Sequence, residues 1–288
     1  MKSTIAVAVL AAAIVFVSTL LGMNFSDHLQ AEKEKALLTT LPATTAASTE
    51  SVTAEPLTEA RKPQKAVVPE KLIVFTAEEN TGTPVGSTAE NPDITNSVFI
   101  GDSVSLGFSR YCAKKSLMNE TVFLTAGSYS VHHALDSRTS SDKGFDHPMY
   151  KGKQTPVLAA IEEIKPANVY ICLGINDVAV SGVEGTVKNY CKLINSIWEI
   201  DPEIHIYVVS TTFMVNDAQK TNLNNLNIAN VNHNMKAVCE NSEKLDYIDI
   251  MSALQDENYA LAGQFCSDGF IHQENIAYDI WAEKLGAK

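Results

Sequence analysis

Ser97-Val98-Phe99-Ile100-Gly101-Asp102-Ser103-Val104-Ser105-Leu106-Gly107 changes character twice in eleven residues. Ser97–Ile100 is a short apolar run of the kind that forms a buried strand, Gly101-Asp102-Ser103 supplies turn and helix-capping chemistry, and helix-compatible residues follow. A strand that passes through a glycine turn straight into a helix is the repeating unit of a parallel sheet with helices on both faces. The same alternation recurs downstream. Thr121–Thr125, Asn168–Leu173, His205–Ser210 and Leu245–Ile250 read as further strands. Thr155–Lys165, Gly185–Ile200, Asn222–Asn241 and Asn275–Leu285 carry helical spacing, with Pro156 early in the first of them. The expected fold class is α/β: a three-layer α/β/α sandwich with a five-stranded parallel sheet, occupying residues 95–288.

Upstream of this domain the composition differs. Lys2 precedes an apolar run, Ile5 to Met23, of nineteen residues. That is close to the roughly 20 needed to span a bilayer and longer than the roughly 7–15 residue core of a cleaved leader. Residues 1–24 are therefore expected to be an N-terminal signal-anchor, in preference to the alternative of a signal peptide that is removed. The remainder of the chain is expected to be extracytoplasmic, touching the membrane through this segment only. Residues 25–94 read as a flexible linker rich in Thr, Ala, Glu and Pro, too poor in apolar surface to offset its ordering entropy. Its forty residues from Ala31 to Glu70 would reach on the order of 35 Å as a loose coil. Within it, Lys71–Thr76 is apolar enough for a short strand or a strap on the domain.

The formal net charge of -12 and the absence of any Lys/Arg-rich block argue against nucleic acid as a partner. The five cysteines form no CxxC pair, so neither zinc nor redox chemistry is indicated, and buried free thiols are expected rather than disulfides.

Sheets of this kind place their sites at the carboxyl ends of the strands. After the first strand comes Gly101-Asp102-Ser103, where a serine hydroxyl can project from the sheet edge; a plain turn and N-cap would look the same. The second strand is followed by Gly127, whose N–H a ligand can approach without a side chain intervening. Gly174-Ile175-Asn176-Asp177 follows the third, with Asn176 able to offer an amide N–H or to form an Asx-turn. The fifth strand is followed, further on, by Asp268-Gly269-Phe270-Ile271-His272, an acid upstream of an imidazole.

Taken together, Gly101-Asp102-Ser103, Gly127, Gly174-Ile175-Asn176-Asp177 and Asp268…His272 resemble the four blocks of the SGNH (GDSL-type) hydrolase superfamily, over roughly Asn96 to Leu285. The resemblance implies a flavodoxin-like sheet and a serine esterase. Ser103 would be the nucleophile, His272 the general base and Asp268 the acid that orients it. The N–H of Ser103, the N–H of Gly127 and the side chain of Asn176 would form the oxyanion hole. No cofactor or metal is implied. The expected substrate is a small acyl ester, with an acetyl group on a carbohydrate as the guess that the tether motivates. An O-acetyltransferase acting on a surface glycan would use the same residues, and a non-catalytic binding module would keep the same fold.

One departure separates this chain from the family. The acid there stands three residues before the histidine, whereas here Asp268 stands four before His272. Asp249, or a backbone carbonyl beside a Ser-His dyad, are the alternatives for the acid's role. His132, His133, His147, His205 and His233 lack an acid placed like Asp268. The polar segment Ser137–Gly152 is either a cover over the site or a solvated loop.

Overall fold

Phe123, Phe99, Tyr170 and Tyr207 form a row of rings across four neighbouring strands, and this row shows how the sheet is assembled. In the computed structural model, which describes residues 64–76, 78–79, 84–139 and 144–287, the strands are β1 (Ser97–Gly101), β2 (Thr121–Thr125), β5 (Asn168–Cys172), β6 (His205–Val209) and β7 (Leu245–Ile248). Two short strands, β3 (Met149–Tyr150) and β4 (Lys153–Gln154), form a separate antiparallel pair. All pairings in the main sheet are parallel, in the order β2-β1-β5-β6-β7. Phe99 pairs in register with Phe123 and Tyr170, and Tyr170 with Tyr207, with ring centroids 5.5, 5.9 and 4.6 Å apart. Such cross-strand aromatic pairs stabilise one register over its neighbours.

Every residue of β1 and β5 is buried, as a parallel strand covered on both faces requires. The cover is α1 (Ser103–Lys115), α2 (Val131–Ala134), α3 (Val157–Ile164), α4 (Ile175–Ile200), α5 (Asn225–Cys239) and α6 (Asn275–Lys284). The α/β sandwich read from the sequence is thus the observed architecture.

Two boundaries differ from the sequence reading. Helix α4 begins ten residues before Gly185, directly at the end of β5, and a non-helical backbone at Gly182 (φ 62°, ψ −177°) divides it. The compact unit also begins well ahead of residue 95, its described residues starting at Gln64. The linker assigned to residues 25–94 therefore needs correction over its described C-terminal part. Residues 64–76 are a strap, gripped by asparagine side chains that each pair with both backbone groups of one residue. Asn195 holds Ala66 (2.8 and 3.0 Å), Asn234 holds Ile73 (2.9 and 2.7 Å) and Asn230 holds Phe75 (2.8 and 3.4 Å). Further on, Gly86 N–H donates to Asp249 and Thr88 N–H to the Tyr247 carbonyl, both 2.8 Å. The proposed signal-anchor over 1–24 and the linker as far as residue 63 lie outside the described residues. Among the described residues no helix is long and apolar enough to cross a membrane.

Candidate active site

Register decides where the motif loops emerge. Gly101 pairs with Thr125 on one side and Cys172 on the other, so β2, β1 and β5 end level. The next residues, Asp102-Ser103, Ala126-Gly127 and Leu173-Gly174, therefore leave the sheet at one edge, with the serine between the two glycines.

Each turn has a local cause. At Gly101 an added Cβ would lie 2.2 Å from Ser105, so only glycine lets the first turn of α1 fold back over the strand. Asp102 caps that helix, its side chain accepting from Val104 N–H at 2.9 Å. Gly174 has φ +112°, and a Cβ there would lie 2.6 Å from Thr211 Oγ1. The chain can then enter α4 immediately, with Asn176 and Asp177 in its first turn.

His272 arrives from a different part of the chain. Cys266 and Gln273 form an isolated antiparallel bridge, Ser267 N–H donates to the His272 carbonyl (2.8 Å), and Trp281 Nε1–H donates to Gln273 (2.8 Å). Helix α6 is bound in turn to α1 through Tyr278 Oη–H donating to the Val104 carbonyl at 2.9 Å. The imidazole is thereby fixed over the serine, with His272 Nε2 3.0 Å from Ser103 Oγ.

The acid stands at the other ring nitrogen, with Asp268 Oδ2 2.5 Å from His272 Nδ1. The extra residue in the spacing does not part them, because the chain closes a turn around the carboxylate. Asp268 Oδ1 accepts from the N–H groups of Phe270 (2.8 Å), Ile271 (3.0 Å) and His272 (3.2 Å), and Gly269 takes φ +70° to permit it. Burial alone would raise the Asp268 pKa, but the hydrogen bonds from the His272 ring and the backbone outweigh it and hold the carboxyl down at about 2. Asp249, the alternative acid, is occupied by Gly86 N–H and by Ser252. The dyad alternative has no vacancy either, since the Nδ1 position is taken by a carboxylate.

Asn176 Nδ2–H donates to the Tyr129 carbonyl at 2.9 Å, two residues beyond Gly127, so one amide hydrogen is committed to that loop. Gly127 itself is exposed, and a Cβ there would meet nothing within 4 Å.

Two residues quoted only as parts of motifs prove to be buried charges beside the site. Asp102 and Asp177 are each 2% exposed, and burial pushes both carboxyls up to about 6 despite the backbone N–H groups that each accepts. The single acid that follows Asn176 in Gly-x-Asn-Asp was the available signal for Asp177. Of the other histidines, His147 is buried and bonded to Tyr129 Oη and the Arg138 carbonyl, both 2.9 Å, so this part of Ser137–Gly152 is anchored rather than solvated. His133 stacks on Phe145 with centroids 4.1 Å apart. His205 pairs with Asp246 at 2.8 Å, where β6 begins, at the far edge of the sheet from Ser103.

The family model for the GDSL-like lipase/acylhydrolase family matches residues 99–280. The chain belongs to that family. Solved structures similar to this GDSL-like acylhydrolase include a GDSL-like lipase from Bacteroides thetaiotaomicron, with 19% identity, a TM-score of 0.46, and coverage of 69% of this chain and 90% of that one. A carbohydrate esterase of family 3 from Talaromyces cellulolyticus shares 12% identity at a TM-score of 0.47, covering 67% of this chain and 94% of that one. The C-terminal catalytic domain of a peptidoglycan O-acetyltransferase from Streptococcus pneumoniae shares 14% identity at a TM-score of 0.44, covering 67% and 90%. No curated protein matches the sequence.

Proposed function

We propose that this GDSL-like acylhydrolase is an extracytoplasmic serine esterase that hydrolyses small acyl esters, acetyl esters of carbohydrates first among them. The observation that carries the proposal is the unbroken chain of contacts from Ser103 Oγ through the His272 ring to Asp268. In the reaction Ser103 Oγ attacks the ester carbonyl while His272 Nε2 takes its proton, and Asp268 holds the ring tautomer and stabilises the imidazolium. The tetrahedral oxyanion is met by the N–H of Ser103 at the start of α1, the N–H of Gly127 and the second amide hydrogen of Asn176. The imidazolium then protonates the leaving alcohol, leaving Ser103 acylated. Water, deprotonated by His272, attacks the acyl carbon, and the imidazolium returns that proton to Ser103 Oγ as the acid leaves.

The carbohydrate assignment is supported by an open cleft of about 290 Å³ beside the His272 loop, lined by Asn216, Asp217, Asp256 and Asn258. The cleft is joined to that loop through Val215, which lines it and whose N–H donates to the Phe270 carbonyl at 3.0 Å. Amides and carboxylates suit the hydroxyl groups of a sugar. The extracytoplasmic location rests on the apolar run Ile5 to Met23.

The test is hydrolysis of a chromogenic acetyl ester by the protein and by its Ser103→Ala variant. The variant is expected to lose at least about 10³-fold in kcat. Equal rates in the two proteins would remove Ser103 from its role.

A further inference from the structure

Asp177 lies one residue beyond Asn176, yet its side chain turns to a different partner. Its Oδ2 accepts from Val131 N–H at 2.9 Å and its Oδ1 from His132 N–H at 3.1 Å. These are the first two N–H groups of α2, whose third, from His133, is taken by Ser130 Oγ at 3.1 Å. Because α2 is only four residues long, this grip controls the whole connection from Gly127 to Ala134. Asn176 adds a third bond to the same stretch at the Tyr129 carbonyl. The first turn of α4 therefore holds the Gly127 loop at three successive points, Tyr129, Val131 and His132.

We propose that Asp177 is a positioning residue, fixing through the backbone N–H groups of Val131 and His132 the segment that presents the Gly127 N–H to the oxyanion. This rests on the serine esterase reading above. A neutral isostere cannot replace the carboxylate. An asparagine accepts one N–H through its oxygen and turns its NH₂ toward the other, donor against donor. Burial disfavours a charge at this position, and the two backbone donors offset part of that cost.

Two variants loosen the grip from opposite sides. Asp177→Asn removes one acceptor. Val131→Pro removes one donor and leaves the charge in place. Proline is suited to that position, because Val131 opens the helix and Ser130 before it is extended, at φ −133° and ψ 166°.

Each variant is expected to lose about 10–100-fold in kcat, with KM changed by less than about 3-fold, since the loop acts on the oxyanion rather than on ground-state binding. The double variant should be no slower than the slower single variant. The endpoint of active-site titration with a phosphonate ester should match that of the wild type. Amide exchange should accelerate at Val131 and His132 in Asp177→Asn and at His132 in Val131→Pro, while the amides of β1 stay protected. A purely structural role would instead lower the titration endpoint and leave turnover per titrated site within about 2-fold, and that result overturns the proposal. So does unchanged exchange at both amides in Asp177→Asn. Exchange is read without substrate, so a wild-type protein inert toward esters would sink the esterase reading while the grip itself is still scored.

Discussion

Asp268 and Asp102 are carboxylates on either side of one serine, and their surroundings push them in opposite directions. Asp268 is drawn down to about 2 by the His272 ring and the backbone N–H groups around it. A lowered value of this kind gives a contribution to stability that is complete above the unfolded value of about 3.9 and lost as pH falls through about 2. Asp268 is therefore ionised across the whole range in which an esterase would be assayed. Its carboxyl ¹³C shift should show no step of the size that carboxyl protonation produces between pH 4 and 9, and such a step would contradict the arrangement. Asp268→Asn keeps the shape of the turn but presents an amide to Nδ1, favouring the wrong tautomer. A fall of about 10³–10⁴ in kcat is expected, with KM nearly unchanged.

Asp102 behaves in the reverse sense. Burial raises it to about 6, so its stabilising contribution is complete below about 3.9 and lost as pH rises through 6. Asparagine is an equally good N-cap for α1 and carries no charge to bury. Asp102→Asn should therefore match or exceed the wild type in melting temperature at pH 8, by at most about 3 kcal/mol in free energy. That advantage should shrink between pH 7 and 4. A constant difference across this range would show that Asp102 keeps an ordinary pKa.

Among the elements, the strands were legible and the helix carrying Asn176 was not. Strand positions follow from short apolar runs bounded by turn residues, and all five start where the sequence reading put them and end within two residues of it. The first half of α4 has no capping side chain to announce it. It starts on Gly174, and Gly182 interrupts its periodicity, so only the part after the break looked helical. The Asp268-to-His272 turn was illegible for a different reason. Spacing gives the number of residues between two side chains, whereas their contact depends on three N–H groups closing on one oxygen. The start of α4 is also where an element-level prediction belongs. Gly174→Ala places a Cβ against Thr211 Oγ1, at a φ that L-residues rarely adopt. It should cost about 1–3 kcal/mol in stability. It should also lower kcat, because relief of the strain moves Asn176 and Asp177 together. A variant with wild-type melting temperature and wild-type kcat would show that the turn does not set the site.

At the scale of the whole molecule, the sequence offered a strap as one of two readings of Lys71–Thr76 but concealed what holds it and how far it extends. Its contacts join residues 129, 155 and 161 positions apart, and composition marks most of this stretch as linker. Asparagine on a helix normally reads as a solvated or weakly helix-forming residue. Here Asn230 and Asn234 are buried, and each offers one donor and one acceptor to an extended backbone, as a neighbouring strand would. Replacing Asn234 with alanine leaves both backbone groups of Ile73 without that partner, at a cost of about 1–3 kcal/mol. Because the strap is a short segment held by asparagines and by the packing of Ala66, Val68, Leu72 and Phe75, it should detach as a unit. Asn230→Ala combined with Asn234→Ala should therefore cost less than the sum of the two single losses. The same substitutions in a chain beginning at Thr81, where nothing remains to be gripped, should have little effect on stability. Limited proteolysis gives an independent reading, since Lys71 is exposed and should become a cleavage point for trypsin in the Asn234→Ala variant well before the sheet unfolds. Additive losses in the full chain, equal losses in the shortened one, and no early cleavage at Lys71 would together mean that the asparagines stabilise α5 directly and that the strap is held by other contacts.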